Sequence, residues 1–545
     1  MDGAGRRRVV AGGAQRRAAG GGRRRAPVTG AANLAAALEG RAAAGGWAGD
    51  AAFVVGDRSF THAEVHAGAA RAAGALADRG AGPGDRVVIA AADGIELVWA
   101  FLGAVRVGAV AVPVNPRLPA ADHRFVLADA APRVVVCDDA LAERFAVDGV
   151  EVMPTGGLER LLARARPAPP APAGPRRPAY AQYTSGTTGT PRAAVHAHGD
   201  PPVYVDAFAR PALGLAGDDV VLSVSKLYFA YGLGNALFFP LSTGCRAVLV
   251  PEHPRPEAVA DLVARHRVTV LFGVPTFYAH LVATGRSGAM ASLRAAVSAG
   301  ERLGVPLAER ATGFLGCPLL DGLGSTEVGQ TFASNTLEAS RPGTVGRALP
   351  PYRVSVRDDG GGEVPAGTVG ALWVAGPTVM LEYLGRPAET AAARRGEWLV
   401  TGDRAEVSAD GFVRLHGRRD DMEMVGGICV PPLEVEAVLA RHPAVTEVAV
   451  AAVPGDDGAS RLTAFVVAAA GAPASVAADL VAMARAELAP FKVPRAVRLV
   501  DALPRTPTGK LRRFALRAGW AGAGGDGAGG DGAGQAPTRA PKRSR

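Results

Sequence analysis

From about Ala31 to Val400, short β-branched runs alternate with Ala/Leu-rich stretches, and no other feature restricts the fold of this chain as much. The runs "RVVIAA" (86–91), "RVVVCD" (133–138), "AVLVP" (247–251) and "VTVLFGVP" (268–275) are typical. Strands of this length separated by helix-forming segments predict a mostly parallel α/β region. A Pro-rich connector, "ARPAPPAPAGPRRP" (165–178), interrupts the alternation. After Pro365 the texture shifts to short strands, and "RAEVSADGFVRLHGR" (404–418) alternates on both sides of Asp410-Gly411, a two-residue hairpin signal. A smaller unit begins near Asp420. It carries a helix opened by Pro431-Pro432, strands near 445–453 and 462–467, a helix near 475–489 and a last strand near 495–500. At 545 residues, two or more domains are expected.

Composition narrows the class. The chain is 48% hydrophobic and 20% charged, in the range of an ordinary globular enzyme. The most apolar stretch, 98–114, contains Arg106 and ends at a proline, so it reads as core and no membrane association is expected. Cys137, Cys245, Cys317 and Cys429 are far apart without a CxxC pair, which disfavours a zinc site or a disulfide framework and fits a reducing cytoplasm. The net charge of +9 sits wholly in the ends, because residues 1–25 hold eight Arg and one Asp and residues 521–545 hold four basic and two acidic groups. The body between them is neutral, which weighs against a nucleic-acid binder built on the Arg-rich arm. Both ends, 1–29 and 521–545, are low-complexity and expected to be disordered. Only four lysines occur, Lys226, Lys492, Lys510 and Lys542, so each one is informative.

The tract "QYTSGTTGTPRAAVHAHGD" (182–200) follows the connector. It lacks the Lys-Ser/Thr of a Walker loop and the GxSxG of a nucleophile elbow. What is left is a loop of two glycines and the hydroxyls of Thr184, Ser185, Thr187 and Thr188, with Arg192 beyond. Free backbone N–H groups and hydroxyls can wrap polyphosphate oxygens. A solvated linker is the competing reading, and the strand-like entry "AYAQY" favours a structured site.

Four more stretches bear on the choice: "DGLGSTE" (321–327), an acid after a tight Gly turn; "WLVTGD" (398–403), a strand ending on an acid; "HGRRDD" (416–421); and "LPRTPTGK" (503–510), a rare lysine on a Pro/Gly loop. Each alone reads most simply as a cap, a turn or a solvated corner. In this order they resemble the acyl-adenylate-forming superfamily over residues 30–520. The segments "KLYFAYGLGNALFFPLSTG" (226–244), "FGVPTFYAHLVA" (272–283) and "SAGERL" (298–303) are most similar to benzoate-CoA ligases and related aryl-CoA ligases.

The resemblance implies a large N-terminal α/β adenylation domain with a β-rich subdomain (30–419) and a small α+β C-terminal lid (420–520), joined by a hinge at Asp420. It implies ATP, Mg²⁺ and coenzyme A as reactants, with an aryl acid as substrate and a carrier-protein thiol as the alternative acceptor, and it is compatible with a homodimer. By the same resemblance, Thr184, Ser185, Gly186, Thr187, Thr188 and Gly189 hold phosphates, and Glu327 holds Mg²⁺, a hard cation that prefers such oxygens. Gly300, Glu301 and Arg302, with Asp321, Gly322, Leu323, Gly324, Ser325 and Thr326, line the adenine slot. Asp403, supported by Arg418, accepts from the ribose. Lys510 reaches in from the lid to stabilise charge at the α-phosphate. Phe229, Ala230, Tyr231, Gly232, Gly324 and Gln330 form the acid pocket, and Gly426 and Gly427 line a pantetheine tunnel. Lys226 and Lys492 are expected to be surface or interface residues, Lys492 as a secondary candidate for touching coenzyme A.

Three departures from the family pattern stand out. Arg192-Ala193 replaces Lys-Gly, Met424 replaces a lysine on the face presented for thioester formation, and Gln330 replaces a histidine of the acid pocket. A buried Gln330 left partly unpaired by benzoate predicts a hydroxy- or amino-benzoate.

Overall fold

The structure, a computed structural model, describes residues 33–184, 191–252, 254–301, 303–418, 423–425, 428–430, 432–454, 460–505 and 511–517. The terminal segments expected to be disordered lie outside the described residues.

Each predicted β-branched run forms a strand: Arg86–Ala90, Val134–Cys137, Arg246–Leu249 and Val270–Gly273. They belong to two large sheets, one of nine strands and one of seven among the described residues. Most neighbours in the middle of both sheets pair in parallel, as crossover helices require. Alternation along a strand divides its side chains between two cores. In Arg86–Ala90, Val87 and Ile89 face the central core while Val88 and Ala90 face an outer one. The central core also holds residues of the helices Leu34–Gly45, His62–Ala77 and Ile95–Arg106, so helices fill the space between the sheets. The helices Pro256–His266, Pro275–Ala283 and Val305–Leu315 cover the far face of the nine-stranded sheet. The large domain is therefore a layered α/β structure.

Local chemistry explains the inner helices. Thr61 caps His62–Ala77 with a reciprocal box: its hydroxyl accepts from the Glu64 N–H at 3.2 Å, and the Glu64 carboxylate accepts from the Thr61 N–H at 2.8 Å. Ile95–Arg106 is buried at every residue but Glu96, as its apolar sequence predicts, with Arg106 paired to Glu39 at 2.7 Å. No helix among the described residues is long and apolar enough to cross a membrane. The Pro-rich connector is laid onto these helices: the N–H of Ala168 donates to Ala70 O at 2.9 Å and that of Ala171 to Arg106 O at 2.8 Å.

A five-stranded sheet includes the predicted hairpin, Trp398–Val407 against Val413–Arg418. Its loop is longer than the two residues expected. Val407 pairs with Val413, the Ser408 N–H donates to Phe412 O at 2.9 Å, and Gly411 takes φ +86°. A left-handed glycine closes a three-residue loop as readily as a two-residue one.

The small C-terminal domain has the helix Pro432–Leu439, antiparallel strands Val445–Pro454 and Ser460–Ala468, the helix Val476–Glu487, and the strand Ala496–Leu499 parallel to the second of these. Arg513 inserts between its layers, donating to Glu436 at 2.6 Å and to Val450 O at 2.8 Å. Cys137, Cys245 and Cys317 are free and buried.

Candidate active site

Three adjacent parallel strands, Val270–Gly273, Ala295–Ser298 and Leu319–Gly324, end together, with Gly273 opposite Ser298 and Ser298 opposite Asp321. The carboxyl edge of such a sheet is where an α/β fold exposes backbone and side chains to a ligand. Gly300 and Glu301 leave this edge directly. Asp321, Gly322, Leu323 and Gly324 are strand residues, not the tight turn expected; Asn335 pins Asp321 O with its backbone N–H at 3.0 Å and its side-chain amide at 3.1 Å. The turn comes next, at 325–329, where the Gly329 N–H donates to Ser325 O at 2.9 Å. Gly324 has no room for a side chain, since a Cβ there would lie 2.8 Å from Gln330 O.

A buried polar cluster holds the turn from behind. The Nε2–H of His196 donates to Thr326 O at 2.7 Å, since a carbonyl oxygen can only accept. Its Nδ1 lies 3.2 Å from Asp200 and 3.4 Å from the Tyr204 hydroxyl. The Thr378 hydroxyl donates to Val328 O at 2.8 Å, and the Met380 N–H donates to Glu327 O at 2.7 Å. Glu327 is thereby aimed rather than loose.

The strands on either side of the Gly/Thr tract, Pro178–Thr184 and Arg192–Ala197, pair with Thr184 opposite Arg192. Ser185, Gly186, Thr187, Thr188 and Gly189 lie outside the described residues. At the stem, the Thr184 hydroxyl is buried without a hydrogen-bond partner among the described residues. The Tyr183 hydroxyl donates to Asp129 at 2.8 Å, anchoring the incoming strand. The Arg192 guanidinium lies 4.5 Å from the centre of the Tyr383 ring and 3.3 Å from Glu389. The Tyr383 hydroxyl in turn donates to Glu327 Oε1 at 2.9 Å. Burial, and the Glu327 charge after it, raise the Tyr383 phenol, so it stays a donor. Stem, arginine, tyrosine and acid thus form one connected unit.

Among the described residues no group of three or more His, Cys, Asp and Glu could hold a metal. The set fits Mg²⁺ nonetheless, because that ion is commonly held by one or two carboxylates and by substrate phosphates. Glu327, held by the Tyr383 hydroxyl, could supply such a carboxylate.

Of the residues expected to form the acid pocket, Ala230, Tyr231 and Gly232 lie on a helical segment that runs Ala230–Leu233, Gly234–Phe238 and Phe239–Thr243, with a π-turn in the middle. Gly232 and Gly234 allow close approach: a Cβ on the first would lie 2.1 Å from Lys226 O, and on the second 1.7 Å from Gln330 Nε2. Tyr231 and Gln330 are brought together, the amide of Gln330 donating to Tyr231 O at 3.4 Å. Gln330 Oε1 accepts from the N–H and hydroxyl of Thr331 at 2.9 and 3.0 Å. Its hydrogen bonds are made inside the protein, so Gln330 itself does not call for a ring substituent. That expectation is corrected. The unmet polar group is one the sequence reading missed. Asn235 is fully buried with the Tyr231 hydroxyl as its neighbour, and among the described residues neither its amide nitrogen nor its oxygen makes a hydrogen bond of good geometry. Ser298 Oγ, next to the Val297 carbonyl that the Tyr231 hydroxyl meets at 3.2 Å, is also buried and without a partner among the described residues.

Lys226 is not a surface lysine. It is 1% exposed, donates to Val250 O and Glu252 O at 2.5 Å each, and lies 4.0 Å from Asp93. Asp93 accepts from the Leu227 N–H at 3.0 Å, and burial pushes its carboxyl up to about 7 against the pull of Lys226. The pair fixes the loop leading to Phe229 and Ala230, both half-buried. Lys492 holds Glu434 of its own domain at 2.6 Å.

Asp403 does not end its strand, which continues to Val407; it stands opposite Arg418 in the five-stranded sheet. Glu301 turns its carboxylate to the Thr276 hydroxyl at 3.0 Å and to Arg505 of the small domain. Arg302, Asp420, Gly426, Gly427, Lys510 and the Met424 side chain lie outside the described residues.

Residues 40–384 match the AMP-binding enzyme family and residues 434–510 the AMP-binding enzyme C-terminal domain. The chain is 44% identical over 488 residues to a p-hydroxybenzoic acid–AMP ligase of Mycobacterium tuberculosis, covering 89% of this chain and 68% of that protein. It is 39% identical over 505 residues to a benzoate–CoA ligase of Thauera aromatica, covering 89% and 96%. The crystal structure of a benzoate CoA ligase from Burkholderia xenovorans superposes with a TM-score of 0.83 at 37% identity, covering 89% of this chain and all of that one (100%).

Proposed function

The chain belongs to the AMP-binding enzyme family as an AMP-forming acid–thiol ligase, and from that premise we propose that its acid is a hydroxybenzoate and its thiol that of coenzyme A. The observation that carries the choice of acid is the buried Asn235, with Ser298 close by. An amide carries both donors and an acceptor, which a ring hydroxyl can answer and an unsubstituted ring cannot. The names of the relatives, p-hydroxybenzoic acid among them, agree.

A free carboxylate is a poor acyl donor because its leaving group would be oxide. In the first half-reaction a carboxylate oxygen attacks the α-phosphorus of ATP; the bond to the β-phosphate oxygen breaks and pyrophosphate leaves. In the second, the thiol sulfur attacks the acyl carbon, AMP departs, and the thiol proton passes to solvent. The Thr184 hydroxyl and the Arg192 side of the stem bind phosphate oxygens. Tyr383 orients Glu327, and Glu327 with the phosphates would hold Mg²⁺, whose charge offsets theirs. Lys510 supplies an ammonium at the α-phosphate, and Lys226 with Asp93 holds the wall of the acid pocket.

A panel of aryl acids scored by pyrophosphate release tests this reading. An unmade buried hydrogen bond costs about 1–3 kcal/mol, so at least one hydroxybenzoate should exceed benzoate about 5- to 150-fold in kcat/KM. A clear preference for benzoate refutes the choice of acid. A specific observation favours a second acceptor: the 44%-identical relative is named for the AMP ligase step alone. AMP release that depends on free coenzyme A, with acyl-CoA detected, decides for coenzyme A; its absence decides for a carrier-protein thiol.

A further inference from the structure

One arginine joins the two domains at the nucleotide edge. Arg505 lies on the segment that follows the last strand of the small domain. One of its terminal nitrogens donates to Glu301 Oε1 of the large domain, and the other donates to Glu447 Oε2 of its own domain at 2.6 Å. Glu301 is held on its other oxygen by the Thr276 hydroxyl at 3.0 Å. Glu447 Oε1 in turn meets His280 Nε2 of the large domain at 3.0 Å. The three ion-paired side chains are largely withdrawn from water, at 23%, 18% and 10% exposed for Arg505, Glu301 and Glu447.

The location gives the contact its meaning. Glu301 leaves the carboxyl end of Ala295–Ser298, beside Asp321, where the adenine candidates gather. Arg505 also forms a β-bridge with Leu511, and Lys510 is the residue before that partner. A domain arrangement that seats Arg505 on Glu301 therefore brings the backbone flanking Lys510 to the nucleotide end of the site. In the family that the sequence resembles, thioester formation presents the face at position 424, whereas this contact is made through positions 447 and 505.

We propose that Arg505, clamped between Glu301 and Glu447, is a positioning residue for the adenylation half-reaction: it docks the small domain on the nucleotide edge and is released for thioester formation. This rests on the ligase reading above and adds a residue to it. Charge and geometry both matter. Two carboxylates from two domains repel when the arginine is absent, and a planar guanidinium addresses them both in a way that a single ammonium does not.

The test separates the half-reactions in the full chain. Arg505→Met should slow hydroxybenzoate-dependent pyrophosphate release about 10- to 100-fold, in the range of ordinary coupling between sites. The thioester step from supplied hydroxybenzoyl-adenylate and coenzyme A should stay within about twofold of wild type. Arg505→Lys should recover part of the adenylation rate. Glu447→Gln, which removes the carboxylate that holds Arg505 and meets His280, should show the same split at smaller amplitude and decides should Arg505→Met unfold. Equal losses in both halves, or undiminished adenylation, overturn the proposal. Should the wild type release no pyrophosphate with any aryl acid, the ligase reading fails instead. The clamp is then judged by solution scattering with ATP: a larger radius of gyration in Arg505→Met supports it, and an unchanged one overturns it.

Discussion

Tyr383→Phe isolates a single contact of the site. The ring stays, and with it the 4.5 Å stacking of Arg192; only the hydroxyl that donates to Glu327 Oε1 at 2.9 Å is lost. A hydrogen bond to a charged group contributes about 1.5–3 kcal/mol. Glu327 is half-buried and can recruit water at the vacated oxygen, so the lower end applies, about 1.5 kcal/mol or tenfold. That loss should fall on the metal. Glu327 would no longer be held in one orientation, and the Mg²⁺ concentration giving half-maximal pyrophosphate release should rise about tenfold. Saturating Mg²⁺ should restore most of the rate. Glu327→Gln should share the direction and exceed the magnitude, and with it saturating metal should not restore the rate, because the ligand charge itself is gone. The assay is a Mg²⁺ titration at saturating ATP and acid, with thermal unfolding as control. A Tyr383→Phe enzyme with unchanged metal dependence, at any overall rate, would refute the link from tyrosine to acid to metal. An unchanged dependence in Glu327→Gln would reduce that acid to a structural role in its turn.

Lys510→Ala should lower adenylation about 10²–10³-fold while sparing thioester formation from supplied adenylate, because its charge answers one developing in the first transition state only; equal losses in both halves would assign it elsewhere. His280 should give adenylation an alkaline limb. Its hydrogen bond to Glu447, aided by Glu257 and opposed by Arg505 and by partial burial, raises its pKa from the ordinary 6.5. The imidazolium contact is therefore fully present below 6.5 and lost as pH rises through the raised value, and His280→Gln should remove a decline of at most about fivefold, since the side chain is half-exposed. Persistence of the limb in the variant rules His280 out as its source. Gly103→Ala places a Cβ 2.7 Å from Ala72 Cβ and 2.9 Å from the Ala73 N, so the crossing of two buried helices must open at a cost of about 1–3 kcal/mol and the unfolding midpoint should drop. Gly40→Ala, with nothing within 4 Å, should not lower it and serves as the control.

What was legible in the sequence was what neighbouring residues determine among themselves. The strand of Arg86–Ala90 follows from consecutive β-branched residues, and the stem at Thr184 and Arg192 from a strand-like run entering a Gly/Thr tract. The Asp410-Gly411 signal located a hairpin but not its loop length, because a glycine at positive φ serves loops of either size. Polar partners drawn from distant segments could not be read this way. Lys226 reads from the sequence as a surface or interface lysine because nothing near it in the chain supplies acceptors; Val250 O, Glu252 O and Asp93 come from other strands and loops. Gln330 was assigned an unmet hydrogen bond, yet Thr331 beside it and Tyr231, 99 residues earlier, meet its needs. The same reasoning applies to Asn235, since an amide in an apolar helix looks satisfied until the folded surroundings show how few polar partners reach it. In the proposed function, phosphate binding falls to the backbone and hydroxyls of one contiguous tract, whereas selection of the acid falls to residues from separate segments: the helix of Tyr231, the end of Ala295–Ser298 and the turn before Gln330. The phosphate end of the site can therefore be assigned from a motif. The acid end has to be assigned from which buried polar atoms the folded chain leaves unpaired.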